Sequence, residues 1–176
     1  MPNNSAQFSL RHSDVKQQSR IICARRVVLF ASLFFVALAS GGAFVVYLAY
    51  NPAGMSQAFY VETMQHGIRV MLPLAVVLNL GLVFTIASAV LARRDRLSFY
   101  LLIAATICIV TAVLVTVFGN WPINNQIITW HINSPPSNWT ELRDEWWRFH
   151  VARALMLMAA LGFVILRALP HRDISR

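Results

Sequence analysis

The sequence predicts an all-α integral membrane protein, a bundle of four spanning helices, and three observations support this prediction. First, 57% of the 176 residues are hydrophobic, more than the roughly 45–50% of soluble domains. Second, only 12% are charged, about half the usual share. Third, apolar runs long enough to cross a bilayer recur four times. A soluble domain of this length could not bury so much apolar surface, and intrinsic disorder requires low hydrophobicity.

The charge balance indicates a lipid bilayer as the partner rather than a nucleic acid. The chain has 15 Lys and Arg against 7 Asp and Glu, a formal net charge of +8. These basic residues flank the apolar runs, as the positive-inside rule predicts for membrane proteins. The two cysteines, Cys23 and Cys108, form no C-x-x-C pair, so the sequence has no signature of a zinc or redox site.

The first span is expected at residues 27–50, after a polar, basic, mobile tail at residues 1–26. A cleaved signal peptide is the alternative, because Ala37-Leu38-Ala39 resembles a cleavage site. The apolar run continues about eleven residues beyond that point, and a signal peptide's apolar region is usually about 7–15 residues long. We therefore expect the segment to be retained as a membrane helix. Asn51-Pro52-Ala53-Gly54 then predicts a turn.

Three further spans are expected at 68–92, 97–118 and 149–169, followed by a basic tail at 170–176. Pro73 predicts a kink in the second span rather than a break. The only long loop lies between the third and fourth spans, and its Ile123, Ile127 and Trp130 share a helical face suited to the membrane surface. The fourth helix begins with a capping-box-like Asn138 and Glu141. Its predicted length of roughly 45 Å exceeds the bilayer core.

The distribution of basic residues predicts that both termini are cytoplasmic. Most of the arginines lie in the N-terminal tail, in the 93–96 link and near the C-terminus, whereas the 51–67 link has none and the long loop has little positive charge beyond Arg143 and Arg148. The positive-inside rule then places the long loop, between the third and fourth spans, on the extracytoplasmic side.

Polar side chains from four distant segments are expected at one depth, near the outer interface, if depth is counted along each span from its cytoplasmic end. Arg153 is predicted about one turn inside the hydrocarbon, where a charge should face the bundle interior and have a partner such as Glu62. The alternatives are that Arg153 extends to the interface and that Glu62 and Arg69 form a solvated helical pair. The residues of this group are Glu62, His66, Arg69, Asn120, Asn124, Asn125, His150 and Arg153.

All five tryptophans lie between residues 121 and 147. They are typical either of an aromatic belt at one membrane interface or of an aromatic lid over a ligand pocket, with Trp121, Trp130 or Trp147 as the roof. Glu62, His66 and His150 also match the ligand types of a two-histidine-one-carboxylate iron site. No H-x-x-E or H-x-D spacing strengthens that interpretation, and we predict no metal site.

The exit of the third span and the start of the fourth resemble the anthrone oxygenase-like family of small membrane proteins. The resemblance covers roughly residues 27–169 and includes Met64-Gln65 before the second span. It rests mainly on Asn120-Trp121-Pro122-Ile123-Asn124, Trp139, Leu142-Arg143, Trp147 and His150-Val151-Ala152-Arg153. It implies a four-span protein of a bacterial inner membrane and an O₂-dependent conversion of anthrones to anthraquinones without metal or flavin. The matched polar positions are Gln65, Asn120, Asn124, His150 and Arg153.

Two functional classes follow from these observations. The first is a cofactor-independent, oxygenase-like enzyme acting on a flat aromatic with an acidic C–H bond. His150 or His66 would be the base, and Arg153 with the asparagines would stabilise the anion. Ligand contacts are expected from Glu62, Gln65, Trp121 and Trp147 as well. The second class is a non-catalytic membrane protein that binds a lipid or quinone, or that pairs with a second copy or another membrane subunit.

Overall fold

The protein is an all-α membrane bundle, as the sequence predicts. A computed structural model describes residues 4–52 and 54–169, with side chains from residue 15 onwards apart from that of Leu72. Within this part of the chain there is no strand beyond a single bridge between His131 and Ser134. Four helices are long and apolar enough to cross a membrane, and they are Val15–Ala49, Pro73–Ala92, Arg96–Ile127 and Trp139–Ala168.

The four long helices form a ring in which each packs against two neighbours, in the order α1 (Asn4–Ala49), α3 (Leu72–Ala92), α4 (Arg96–Val115) and α6 (Trp139–Ala168). Side chains such as Phe30, Tyr100 and Leu155 are exposed on its outer surface, as expected for a bundle in lipid. The elements are α1 (Asn4–Ala49), α2 (Gln57–Val70), α3 (Leu72–Ala92), α4 (Arg96–Val115), a π-helix (Thr116–Asn120), α5 (Trp121–Ile127) and α6 (Trp139–Ala168).

The polar N-terminal segment is helical from Asn4 onwards. α1 continues without interruption from Asn4 through the apolar run to Ala49. Its polar part lacks proline, and its only glycines lie further on at positions 41 and 42, so nothing in the chain stops the helix before the membrane span. The basic tail expected at 170–176 lies outside the described residues.

The expected kink at Pro73 is a one-residue interruption. Met71, with φ −85° and ψ 0°, ends α2 and precedes α3. Proline has no N–H to donate to the carbonyl of Arg69, its ring crowds that carbonyl, and it disfavours helical geometry at the preceding residue. Backbone bonds from Met71 N to Gly67 O and from Leu74 N to Met71 O keep the two helices joined.

The long loop is shorter than expected because α5 fills its first part. The apolar face of this segment does not lie on the membrane surface, since Ile123, Ile127 and Trp130 are buried against Tyr60 and other side chains of one core cluster. Burial inside the protein removes the same apolar area from water. The 30-residue α6 has the predicted length, but the side chain of Asn138 makes no capping hydrogen bond.

The bundle has two ends, which we name by their connections. The loop end contains α2, the π-helix, α5 and the connection to α6, and the hairpin end contains the turn at residues 93–95 between α3 and α4. Between them, the hydroxyl groups of Ser32 and Thr85 are 2.8 Å apart, and Ser40 Oγ donates to Leu157 O at 2.8 Å. These bonds join α1 to both of its neighbours inside the bundle.

Candidate functional site

A hydrogen-bonded pair of His150 and Arg153 lies at the loop end of α6. The two residues are three positions apart and therefore share a helix face. Arg153 Nη2 is 2.7 Å from His150 Nδ1, and His150 Nε2 is 3.2 Å from the carbonyl oxygen of Ala43 on α1. Guanidinium has donors only, so Nδ1 must accept and Nε2 must carry the proton that is donated to Ala43. The structure thus assigns a neutral imidazole whose lone pair is already used by Arg153.

The two adjacent tryptophans Trp146 and Trp147 pack on His150 rather than covering a cavity. Their ring centroids are 5.3 Å and 5.6 Å from the imidazole, with interplanar angles of 6° and 24°. Tyr47 of α1 stacks on Trp147, with 5.5 Å between the two ring centroids. His150 has no exposed surface. This aromatic packing holds the imidazole in one orientation and keeps water from it.

Asn120 and Asn124 attach the loop end to α6. The amide of Asn120 donates to Trp146 O at 3.1 Å, and Trp146 Nε1 donates to Asn124 Oδ1 at 2.8 Å. Asn120 is 1% exposed, and its Oδ1 has no hydrogen-bond partner among the described residues. A close approach of the π-helix to α6 makes these contacts possible, because a Cβ on Gly119 would be 2.6 Å from Phe149 Cγ.

The side-chain amide of Gln65 bonds to the backbone of the loop. Its Nε2 donates to the carbonyl oxygens of Ile127 and Trp130, both at 2.9 Å. These carbonyls lie at and just beyond the C-terminus of α5, where helical carbonyls lack partners within the helix. Both amide hydrogens are thus used in joining α2 to the loop. Nearby Tyr60 is fully buried, and burial raises the pKa of its phenol, which therefore stays protonated.

Arg153 also lines a cavity of about 220 Å³ inside the loop end. We call it the loop-end cavity. Its walls come from α1, α2, α3, the π-helix, α5 and α6, whereas α4 contributes no lining residue. The Nε of Arg153 is buried without a hydrogen-bond partner among the described residues. The lining residues are Ala39, Ala43, Ile68, Met71, Leu74, Ala75, Leu78, Thr116, Trp121, Asn124, Asn125, Ile128, Arg153 and Leu157.

The structure brings some of the expected site residues together and separates others. Trp121, Asn124 and Arg153 line the loop-end cavity, and His150 lies behind Arg153. Glu62 and His66 instead line a shallow depression formed by α2 alone, with Phe59, Thr63, Gln65 and Arg69. The shared depth expected from the sequence therefore does not bring His66 to the cavity.

The expected partners of Arg153 and Glu62 differ in the structure. Arg153 bonds to His150, and in the described part of the chain the only ion pair is Arg143 with Asp144, at 2.8 Å. Glu62 thus pairs with neither Arg153 nor Arg69. No group of three His, Cys, Asp or Glu side chains that could hold a metal occurs among the described residues. Glu62, His66 and His150 do not form a metal site because Glu62 and His66 lie on the outer surface of α2, whereas His150 is buried.

Sequence reasoning missed two contributors to the site. The carbonyl of Ala43 accepts the imidazole proton, and backbone acceptors carry no sequence signal. Thr116 lines the cavity from the first position of the π-helix, where its hydroxyl donates to Ala112 O at 2.8 Å. A helical count that ignores the π-helix's extra residue per turn misplaces the residues of that segment around the axis.

Fold and site define a class: a small four-span membrane protein with an arginine-containing cavity at one end of its bundle. The family model described as anthrone oxygenase matches residues 60–163. This match covers 104 of the 176 residues, from α2 to within five residues of the end of α6. The chain belongs to the anthrone oxygenase family. No curated protein and no solved structure matches it.

Proposed function

We propose that this protein binds a flat aromatic or quinone-type molecule in the loop-end cavity and oxidises it with dioxygen. The observation that carries the proposal is a half-buried guanidinium that faces an otherwise largely apolar cavity and keeps a buried, unpaired Nε. An unpaired buried donor is costly, and an oxygen atom on the ligand would satisfy it. The family membership supports an oxygenase reaction.

The cavity lining favours a planar ring with one oxygen at its edge. Ile68, Leu74 and Leu157 offer apolar walls, and Trp121 offers an aromatic surface at the rim. Aromatic and apolar walls with a few placed polar groups are typical of small-molecule sites. The volume of about 220 Å³ is below the roughly 300 Å³ of drug-sized pockets, which favours a compact ring system over an extended one.

Arg153 would act by stabilising negative charge on the ligand. An anthrone loses a proton from its methylene carbon to solvent water, and the resulting anion places charge on the carbonyl oxygen across the ring. A guanidinium fixed beside that oxygen stabilises the anion without reorganisation during the reaction. Dioxygen then oxidises the methylene to a carbonyl group, and the second oxygen atom leaves as water, so one anthrone and one O₂ give one anthraquinone and one H₂O.

His150 serves in this proposal as a positioning residue rather than as the base. Its Nδ1 lone pair accepts from Arg153 and its Nε2 proton is donated to Ala43. The imidazole thus fixes one edge of the guanidinium, leaving the remaining donors toward the cavity. His66 has no part in the chemistry, because it lies on the outer surface of α2.

The test uses the full chain purified in detergent, with 1,8-dihydroxyanthrone as substrate and 1,8-dihydroxyanthraquinone as ligand. Oxygen uptake above the rate without protein is expected, together with quenching of tryptophan fluorescence by the quinone. Arg153→Met should lower both by tenfold or more. Arg148→Met, an exposed arginine on the same helix, should leave both unchanged.

The two readouts separate enzyme from binding protein. Quenching that depends on Arg153 without oxygen uptake would retain the binding site and refute the oxygenase activity. Equal signals from the wild type and Arg153→Met, in variants that remain folded, would refute both. A structural or partner-binding role would then be the better interpretation of the bundle.

We further propose that the hairpin end faces the cytoplasm and the loop end faces the opposite side, as the arginine distribution predicts. Reporter fusions after Gly54 and near Pro136 should then be translocated, and a fusion after Arg94 should remain cytoplasmic. A cytoplasmic signal at Pro136 would contradict this orientation. It would leave the loop-end cavity and its chemistry in place but reverse the side from which ligands enter.

A further inference from the structure

A second cavity, of about 260 Å³, lies at the hairpin end of the bundle. We call it the hairpin-end cavity. Residues from α1, α3, α4 and α6 and from the α3–α4 turn form its walls. None of them belongs to the loop-end cavity. The lining residues are Arg25, Leu29, Ser88, Leu91, Ala92, Arg94, Asp95, Leu102 and Arg167.

The charged lining of this cavity is strongly positive. Three guanidinium groups, those of Arg25, Arg94 and Arg167, face one carboxylate, that of Asp95, which leaves an excess of two positive charges. Asp95 caps α4, since its carboxylate accepts from both the backbone N–H and the hydroxyl of Ser98. None of the three arginines makes an ion pair within the described part of the chain. The cavity lining therefore has a net positive charge that the described residues do not neutralise.

Two buried donors in the cavity have no hydrogen-bond partner among the described residues. They are Nε of Arg167 and Oγ of Ser88. Ser88 is only 5% exposed. A serine inside a helix commonly bonds to a carbonyl one turn earlier, as Thr85 does with Gly81 O on the same helix. Ser88 makes no such bond, so its hydroxyl is available to a ligand.

The position of the cavity corresponds to the headgroup level of a bilayer. Arg25 lies just before the uncharged run of α1, Arg94 lies in the turn between two spans, and Arg167 lies in the last turn of α6. Basic pockets between membrane helices are known to hold lipid headgroups. The apolar side chains of Val90, Leu97 and Leu166, which lie close in sequence to the lining residues, are exposed and could contact acyl chains.

We propose that the hairpin-end cavity binds a phosphate group, either of an anionic phospholipid or of a free phosphate. The guanidinium groups and the serine hydroxyl can donate hydrogen bonds to a ligand. The oxygens of a phosphate are strong acceptors that point in several directions, so several of these donors can bind one phosphate. A single planar carboxylate would pair with one guanidinium and leave the others without a partner. This site is independent of the oxygenase proposal, because it shares no residue with the loop-end cavity.

The test measures lipid retention by native mass spectrometry of the full chain in detergent. The probes are dioleoylphosphatidylglycerol, dioleoylphosphatidylcholine as the zwitterionic reference, and inorganic phosphate as competitor. Phosphatidylglycerol should bind more tightly than phosphatidylcholine. Arg167→Gln should weaken it about fivefold, which corresponds to roughly 1 kcal/mol for one basic residue at a membrane surface. Arg96→Gln removes a neighbouring exposed arginine outside the cavity and should change binding by less than twofold.

The outcomes separate the two sources of phosphate. Retention of phosphatidylglycerol that resists millimolar inorganic phosphate assigns the site to a lipid headgroup, and displacement by inorganic phosphate assigns it to a free phosphate. If Arg167→Gln fails to fold, Arg94→Gln in the exposed turn is measured in its place, with the same expected loss. Equal retention of the two lipids without competition by phosphate, or equal losses in the cavity variant and Arg96→Gln, would overturn the proposal.

Discussion

The two cavities of this bundle use the same residue type in opposite ways. The loop-end cavity has one arginine, Arg153, which a neutral imidazole holds in place within largely apolar walls. The hairpin-end cavity has three arginines, and no described side chain forms an ion pair with any of them. One oriented cation selects a ligand by shape and by the position of one oxygen, whereas several cations select it by total charge. The bundle thus has one cavity with a single oriented guanidinium at its loop end and one cavity with three arginines at its hairpin end.

The largest expected effect is a loss of stability on replacement of Arg153 that replacement of Arg167 does not cause. Arg153→Ala removes the donor to His150 and leaves a buried acceptor unpaired, which should cost about 1–3 kcal/mol or more of unfolding free energy. Arg167→Ala removes no described hydrogen bond, so it should change stability by less than about 0.5 kcal/mol in phosphate-free detergent. Denaturant titration of both variants provides the measurement. Equal losses of unfolding free energy in the two variants would contradict this difference between Arg153 and Arg167.

A second prediction compares the packing of two glycines, one near each end of the bundle. Gly119→Ala would place a Cβ 2.6 Å from the ring of Phe149, and overpacking of this kind costs about 1–3 kcal/mol. Gly162→Ala on α6 meets nothing within 4 Å and should stabilise the helix by about 0.5–1 kcal/mol. Thermal unfolding should therefore shift in opposite directions. A stable Gly119→Ala variant would show that the loop end can move away from α6.

A third prediction concerns the loop-end wall that Gln65 supports. Gln65→Ala removes the donor to Ile127 O and Trp130 O and should cost about 1 kcal/mol. Amide hydrogen exchange should then increase at residues 127–131, while that of the hairpin end remains unchanged. Gln126→Ala is the matched control, because among the described residues that exposed side chain donates a hydrogen bond only to Pro122 O, at 3.5 Å. Increased exchange throughout the bundle would contradict a local role for Gln65.

The smallest expected effect is that of His66→Ala. His66 lies in the depression on α2 and outside both cavities, so its removal should change stability by less than about 0.5 kcal/mol. Quenching by 1,8-dihydroxyanthraquinone should remain at the wild-type level. A tenfold loss of quenching would place the ligand on the surface of α2 and would contradict the assignment of the aromatic site to the loop-end cavity.

The fold was predictable because it depends on long, strongly apolar segments. Four apolar runs and the arginines between them predict a four-span bundle, and α4 and α6 begin within one residue of the starts predicted at residue 97 and after Asn138. The polar composition of the N-terminal segment does not by itself predict its helix. Helix propensity without Gly or Pro determined the structure there.

The site was predictable only where its residues lie on one helix, because their spacing then determines the relative directions of their side chains. His150 and Arg153 are three residues apart on α6, and the sequence places them together correctly. His66 was expected in the same pocket on the basis of depth alone, and depth does not determine which way a helix faces. The interruption at Met71 separates α2 from α3, so the register of the membrane span cannot be extended to α2. Similarly, the π-helix changes the direction of Asn120 and Asn124 relative to a regular helix.

The bond between His150 and Ala43 joins the last membrane helix to the first, across 107 residues of sequence, and this has a consequence for biosynthesis. Arg153 can bond to His150 as soon as α6 forms, because both residues lie on one helix turn. That bond places the imidazole proton on Nε2, and the acceptor of this proton is the carbonyl of Ala43, which is synthesised before α6. Proteins emerge from the ribosome starting at the N-terminus. The imidazole therefore obtains its second partner only after α6 has been synthesised, and docking of α6 is the step that closes the ring of helices.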